Sequence, residues 1–112
     1  MNDPSPISLV IVNYNAGMSL TDCIRSAQNQ VEQIIVIDNA STDTSLAEIE
    51  QRFSNEEKQQ LTIKRLDRNI GFAAACNNGI RESRFPFILF LNPDCTLSPN
   101  VIERLLQALQ SD

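Results

Sequence analysis

A chain of 112 residues, 42% hydrophobic and 21% charged, suffices for one domain with a modest core. Its net charge of −5 lacks the basic footprint that neutralises a phosphate backbone, which argues against a nucleic-acid polymer as partner. With no histidine, Ser-His and Cys-His nucleophile systems and imidazole metal ligands are excluded within the chain, so carboxylates, amides and hydroxyls must carry any chemistry.

In chain order, the opening MNDPSPIS has neither the basic nor the apolar region of a leader. No later run reaches the roughly 18 apolar residues of a membrane span. The expectation is a soluble cytoplasmic chain, reaching the inner face of a membrane only through parts outside this sequence. Cys23, Cys76 and Cys95 are odd in number and irregularly spaced, which indicates neither a disulfide framework nor a zinc site. They read as buried or partly buried thiols in a reducing compartment.

Four runs have strand composition: 7–13 (ISLVIVN), 33–38 (QIIVID), 61–66 (LTIKRL) and 85–91 (FPFILFL). The first, second and fourth are nearly continuous apolar, as in parallel strands buried on both faces, whereas the third alternates like an edge strand. Helical patterns lie between them. Ser19 with Asp22 resembles a capping box, and Leu20, Cys23, Ile24 and Ala27 follow at helical spacing. A second helix is expected over about 42–53 and a polar connection over 54–60. A third helix, rich in small residues, is expected over 71–83. A fourth has Ser98 as cap, Pro99 at its first position, and Ile102, Leu105, Leu106 and Leu109 along one face. This alternation predicts an α/β fold, a mainly parallel sheet flanked by helices. The chain reads as a single domain over 1–112, stopping after its last helix like a fragment.

Ligands of open parallel sheets bind beyond the carboxyl ends of the strands. Those exits read NYNAG (13–17), DNASTD (38–43), DRNIG (67–71) and NPDC (92–95), all polar, whereas the helix-to-strand returns carry no comparable cluster. Each exit also has a plainer reading. Tyr14 suits packing as well as stacking, Asp38 suits a helix cap, the small residues of 71–79 suit close helix packing, and Asn-Pro-Asp suits a turn. No G-x-G-x-x-G follows the first strand and no P-loop signature occurs. A phosphoacceptor receiver has similar layers but needs an acidic pair after the first strand, where this chain has NYN.

Four stretches, VIVNYN, VIDNASTD, NIGFAAACNNGI and FLNPDC, resemble in order and spacing the successive signatures of the family-2 inverting glycosyltransferases, over about residues 7–109. The resemblance implies a Rossmann-like GT-A nucleotide-binding half, truncated before the acceptor half. By that likeness Tyr14 lies against the nucleobase and Asp38 accepts from its ring N–H. Asn69 and Gly71, with Ala75, Asn77 and Gly79, match the small-residue motif beside the sugar nucleotide. Asp94 matches the last acid of the D-x-D type signature, which holds Mg²⁺ or Mn²⁺ on the diphosphate, and Asn15 and Asn92 complete the expected substrate contacts. Asn39 and Asn92 stand where many members carry acids, which is similar to the rhamnosyltransferase branch.

The implied function is the donor-binding portion of a metal-dependent inverting glycosyltransferase. It would transfer a sugar from a UDP- or dTDP-sugar to a glycan or lipid-linked acceptor. The general base is expected beyond residue 112, since Glu103 sits on a helix and Asp112 ends the chain. The alternative is a non-catalytic nucleotide or nucleotide-sugar binding module.

Overall fold

The computed structural model describes residues 3–110. Asp112 lies outside them. The elements run β1 Ser5–Asn13, α1 Met18–Ala27, β2 Val31–Asp38, α2 Ser45–Arg52, α3 Asn55–Lys58, β3 Leu61–Arg65, α4 Phe72–Glu82, β4 Phe87–Phe90 and α5 Val101–Gln110. The strands form one parallel sheet in the order β3-β2-β1-β4. Successive strands step outward from β1 to β3, and α4 then carries the chain back across the sheet to β4. The strand order therefore reverses between β1 and β4.

Alternation along β1 assigns its side chains to two layers. Ile7, Leu9 and Ile11 meet Leu20, Cys23, Ile24, Ile49 and Ile102, so α1, α2 and α5 cover one face. Val10 joins Ile35, Ile37 and Ala75, so α4 covers the other. Gly79 permits that approach: a Cβ built there would lie 2.4 Å from a Val10 methyl. At the amino end of the sheet, Ser8 Oγ donates to Gln33 Oε1 at 2.7 Å, and the Arg84 N–H donates to the same oxygen at 3.0 Å. Gln33 Nε2 donates to the Glu82 carbonyl at 3.1 Å. This buried network ties the end of α4 to the sheet and satisfies groups that would otherwise be costly to bury.

Several expectations need correction. β4 is not buried on both faces. It pairs with β1, Ser8 opposite Ile88 and Val10 opposite Phe90, but α4 lies over β1 and β2, so Ile88 and Phe90 stand 36% and 42% exposed. The Ser19–Asp22 start is not a capping box: α1 begins at Met18 after Gly17, with no side-chain cap bond. The box occurs inside the expected polar connection instead. There Ser54 Oγ accepts from the Glu57 N–H at 3.1 Å while Glu57 Oε1 accepts from the Ser54 N–H at 2.8 Å, starting α3. α5 begins at Val101, because Pro99 and Asn100 form a turn in which Asn100 takes φ 64°. Cys95 is exposed, whereas Cys23 is buried and Cys76 half-buried.

Candidate functional site at the strand exits

Because all four strands run the same way, their exits share one rim, in the spatial order 66–71, 39–44, 14–17 and 91–100. The reversal between β1 and β4 makes the NYNAG exit and the NPDC turn neighbours on this rim, at the switch point where open sheets of this kind bind ligands.

Asp38 ends β2 directly opposite Asn13 at the end of β1 and is only 3% exposed. Its Oδ1 accepts from Asn13 Nδ2 at 2.8 Å and from Ser41 Oγ at 2.7 Å, and its Oδ2 accepts from the Ser41 N–H at 3.0 Å. A carboxylate has about four acceptor positions, so room for a further donor remains on Oδ2. Asn13 Nδ2 also reaches Ser45 Oγ at 2.9 Å, while Asn13 Oδ1 is buried without a partner among the described residues. Thus Asp38 both holds the first two exits together and keeps an acceptor at the rim.

Asn15, at φ 53°, laces the same exits from outside. Its Oδ1 accepts from the Thr42 and Asp43 N–H groups at 2.7 and 3.1 Å, and its own N–H donates to Ser41 Oγ at 2.9 Å. Asp43 accepts from the Gly17 N–H at 2.9 Å and from Ser45 Oγ at 2.6 Å, and the Ser45 hydroxyl chiefly holds its carboxyl below the usual carboxylate range. Among the described residues no side-chain hydrogen bond restrains Tyr14, which is 53% exposed on the rim.

At the third exit, Asn69 Oδ1 accepts from the Gly71 N–H at 2.9 Å, and Gly71, at φ 85°, is the residue from which α4 starts. Ala75 packs in the sheet contact and Gly79 lies against Val10, away from the rim. Asn77 is exposed on α4, roughly 7 Å along the axis from Phe72 at about 1.5 Å per residue. The geometry therefore gathers Tyr14, Asp38, Asn69 and Gly71 at the exits, with Asn77 and Gly79 further down the helix.

At the fourth exit, the Cys95 N–H donates to the Asn92 carbonyl at 3.0 Å, closing a turn with Pro93 and Asp94 at its centre. Cys23 Sγ donates to the same carbonyl at 3.6 Å, pinning the turn to α1, and burial pushes the Cys23 thiol up to about 12. Asn92 and Asp94 are exposed, and Asp94 Oδ1 accepts from Cys95 Sγ at 3.6 Å. The turn and a ligand-binding role are compatible, since the turn is what aims the carboxylate outward. Among the described residues no cluster of three or more His, Cys, Asp or Glu could enclose a metal ion. Mg²⁺ is commonly held by one or two carboxylates together with phosphate oxygens and water. Asp94 thus fits an ion arriving with a diphosphate, and does not fit a resident one.

Asn13, Asn39, Ser41, Asp43 and Ser45 also build this rim, although none stood out from the sequence as a site residue. Their signal was the density of short polar side chains in DNASTD, which single-motif reading assigns to capping. Glu103 lies elsewhere. It lines a cavity of about 530 Å³ with Ser5 and Gln30, at the opposite end of β1 from the rim. Among the described residues no helix is long and apolar enough to cross a membrane.

Residues 8–112 match Glycosyl transferase family 2. The chain is 32% identical over 107 residues to Glycosyltransferase GlyG of Streptococcus pneumoniae serotype 4, covering 93% of this chain and 35% of that protein. Its fold superposes on S. aureus TarS 1-349 in complex with UDP-GlcNAc with a TM-score of 0.79 at 21% identity, over 94% of this chain and 31% of that one. It also superposes on GalNAc-T7 with UDP, GalNAc and Mn²⁺ with a TM-score of 0.73 at 22% identity, over 84% of this chain and 18% of that one. The chain thus spans about a third of GlyG. The parallel sheet with its polar rim is a GT-A fold, and, with the match running over nearly its whole length, the chain belongs to glycosyl transferase family 2.

Proposed function

We propose that this chain is the donor-binding portion of a metal-dependent inverting glycosyltransferase, taking a UDP- or dTDP-sugar and serving transfer to a glycan or lipid-linked acceptor. The observation that carries the reading is the convergence of the Tyr14 ring, the Asp38 carboxylate and the outward Asp94 turn on one rim, at the point where strand order reverses. The neighbours bound to UDP-GlcNAc, and to UDP with Mn²⁺, support the class of ligand.

In this reading Tyr14 lies on the base, Asp38 Oδ2 accepts the imide N–H of uracil or thymine, and the loop holding Asn69 and Gly71 borders the sugar nucleotide. Asp94 would hold Mg²⁺ or Mn²⁺. Bound there, the cation offsets the negative charge that builds on the departing diphosphate. Pro93 and the Cys23 contact keep the Asp94 turn from drifting. The general base belongs to the part of the relatives that this chain does not span, so the 112 residues should bind donor and transfer nothing.

Isothermal titration decides the metal assignment. UDP should bind more tightly with Mn²⁺ than without it, whereas Mn²⁺ alone should show no comparable site. Asp94→Asn should lose the Mn²⁺ enhancement, about tenfold or more, with its thermal midpoint unchanged, because Asn serves the turn equally well. Metal-independent affinity in both proteins would leave Asp94 as a turn residue.

A further inference from the structure

Two of the three thiols are attached to the turn that carries Asp94. Cys23, buried on α1, reaches the Asn92 carbonyl, its Sγ donating at 3.6 Å. Cys95 closes the turn onto the same carbonyl through its N–H at 3.0 Å, and its exposed Sγ donates to Asp94 Oδ1 at 3.6 Å. Only three bonds separate that nitrogen from Cys95 Sγ, so both sulfurs stand close to one carbonyl oxygen. Their nearness is also felt electrostatically, since Cys95 and Asp94 add to the burial that pushes the Cys23 thiol up. Cys76 stands apart, on α4 over the opposite face of the sheet from α1.

We propose that Cys23 and Cys95 are a reversible thiol pair which an oxidant of the disulfide class joins across the Asp94 turn, and that the joined form loses metal-assisted donor binding. The bond follows from the placement of the thiols alone, whereas its effect on binding rests on the reading of Asp94 given above. Two exchanges make it. Cys95, being accessible, attacks the oxidant's disulfide, giving a mixed disulfide and releasing one thiol. Cys23 then attacks the Cys95 sulfur, forming the intramolecular bond and releasing the second thiol. Two protein thiols are oxidised, one disulfide is reduced to two thiols, and the protons lost by the cysteines go to the leaving thiolates. Because Cys23 is buried, the second exchange is the slow one and waits on local opening of the turn. The bonded sulfurs stand about 2 Å apart. To reach that distance Cys95 Sγ leaves Asp94 Oδ1, and Cys23 gives up the S–H that it donates to Asn92. A covalent bond outweighs these weak sulfur contacts, so the turn follows the bond and Asp94 loses its outward aim.

The test uses Cys76→Ser, which leaves only this pair, with Cys76→Ser/Cys95→Ser as its control. Each protein is treated with excess oxidised glutathione, freed of it and mapped by mass spectrometry, and UDP is then titrated with and without Mn²⁺. Oxidised Cys76→Ser should weigh two hydrogens less, yield a peptide linking Cys23 to Cys95, and lose about tenfold in Mn²⁺ enhancement. Its affinity without Mn²⁺ should stay, and reduction with a phosphine should restore the enhancement. The control should keep its enhancement throughout, and the native chain should yield the same linked peptide. Thiols that stay free, or end only as glutathione adducts, would overturn the pair. A linked peptide with unchanged Mn²⁺ enhancement would overturn the switch. So would an equal loss of Mn²⁺-free affinity or of native circular dichroism, because the bond would then act on the fold and not on the turn. If the reduced chain binds UDP with no Mn²⁺ enhancement, the Asp94 reading falls and takes the switch with it, while the peptide map still decides the pair.

Discussion

Asp38 illustrates how one side chain can serve the fold and the ligand together, and why simple deletion would confuse the two. Its two oxygens already take hydrogen bonds from Asn13 and Ser41, so Asp38→Ala should cost on the order of 1–3 kcal/mol of stability by orphaning buried donors. Lost binding in that variant would not identify a base contact. Asp38→Asn is more informative, because an amide can present a donor where the carboxylate presents only acceptors. If Asp38 receives the uracil N–H, the substitution should narrow the preference for UDP over CDP by about tenfold in competition titrations. An unchanged ratio would place the base elsewhere. Gly79 offers a test of the fold alone. A methyl there would lie 2.4 Å from Val10, closer than real contacts allow. Gly79→Ala should therefore destabilise by about 1–3 kcal/mol despite a gain in helix propensity of about 1 kcal/mol. In a Val10→Ala background the same change should cost nothing or stabilise, as read from urea midpoints, and a cost independent of residue 10 would show that the contact is not the cause. The small residue was visible in the sequence, but only the register of α4 on β1 says that Gly79 serves packing while Gly71 serves the loop.

The β/α alternation was legible because the apolar runs and helical spacings of these elements are set locally. The boundaries were less so. α2 starts at Ser45, after an exit held by Asn15 and Asp43, and α5 starts past Pro99, because short polar side chains and proline stabilise turns as readily as helix starts. The reading of 54–60 as connection weighed polarity above pattern, although Ser54 and Glu57 stand at capping-box spacing. That box also anchors neighbouring elements. Glu57 Oε2 accepts from Arg25 Nη1 at 2.5 Å and Gln28 Nε2 at 3.2 Å, Arg25 Nη2 donates to the Arg52 carbonyl at 2.7 Å, and its guanidinium lies 3.9 Å from the centre of the Phe53 ring. The Ser54 N–H first, then Gln28 and Arg25, hold the Glu57 carboxyl at about 2, well below its ordinary 4.5. A carboxyl depressed by folding stabilises above its unfolded value and loses that contribution as pH falls towards its folded one. The stability difference between the native chain and Glu57→Gln should be constant above about pH 5 and shrink between about pH 4.5 and 2. Urea titrations across that range would show it, and a difference that persists undiminished at the acid end would mean the charge on Glu57 is not what matters.

On the scale of the whole molecule, the sheet is covered unequally. Among the described residues α1, α2 and α5 pack on one face and α4 on the other, over β1 and β2 rather than β4. No periodicity in β4 could reveal this, since FILF reads the same under a helix or beside one. What the sequence carried was that every residue of the strand is apolar; what it lacked was where the preceding helix, α4, would settle on the sheet, which depends on Gly79, Ala75 and the Gln33 network together. The consequence is an apolar strip of Ile88 and Phe90 on β4, on a chain whose net charge of −5 otherwise favours solubility. Exposed apolar side chains on a sheet bind hydrophobic dyes without any loss of native structure. The folded chain should therefore enhance the fluorescence of anilinonaphthalene sulfonate, and Ile88→Thr with Phe90→Thr should lower that enhancement, the remainder coming from other exposed side chains such as Phe72 and Leu109. Because more than half of each side chain is covered but neither belongs to the fully buried core, each substitution should cost about 1 kcal/mol. A loss of several kcal/mol would instead mean that the strip is buried in solution, by self-association or by a different seat for α4, and sedimentation of the native chain at two concentrations would tell those apart.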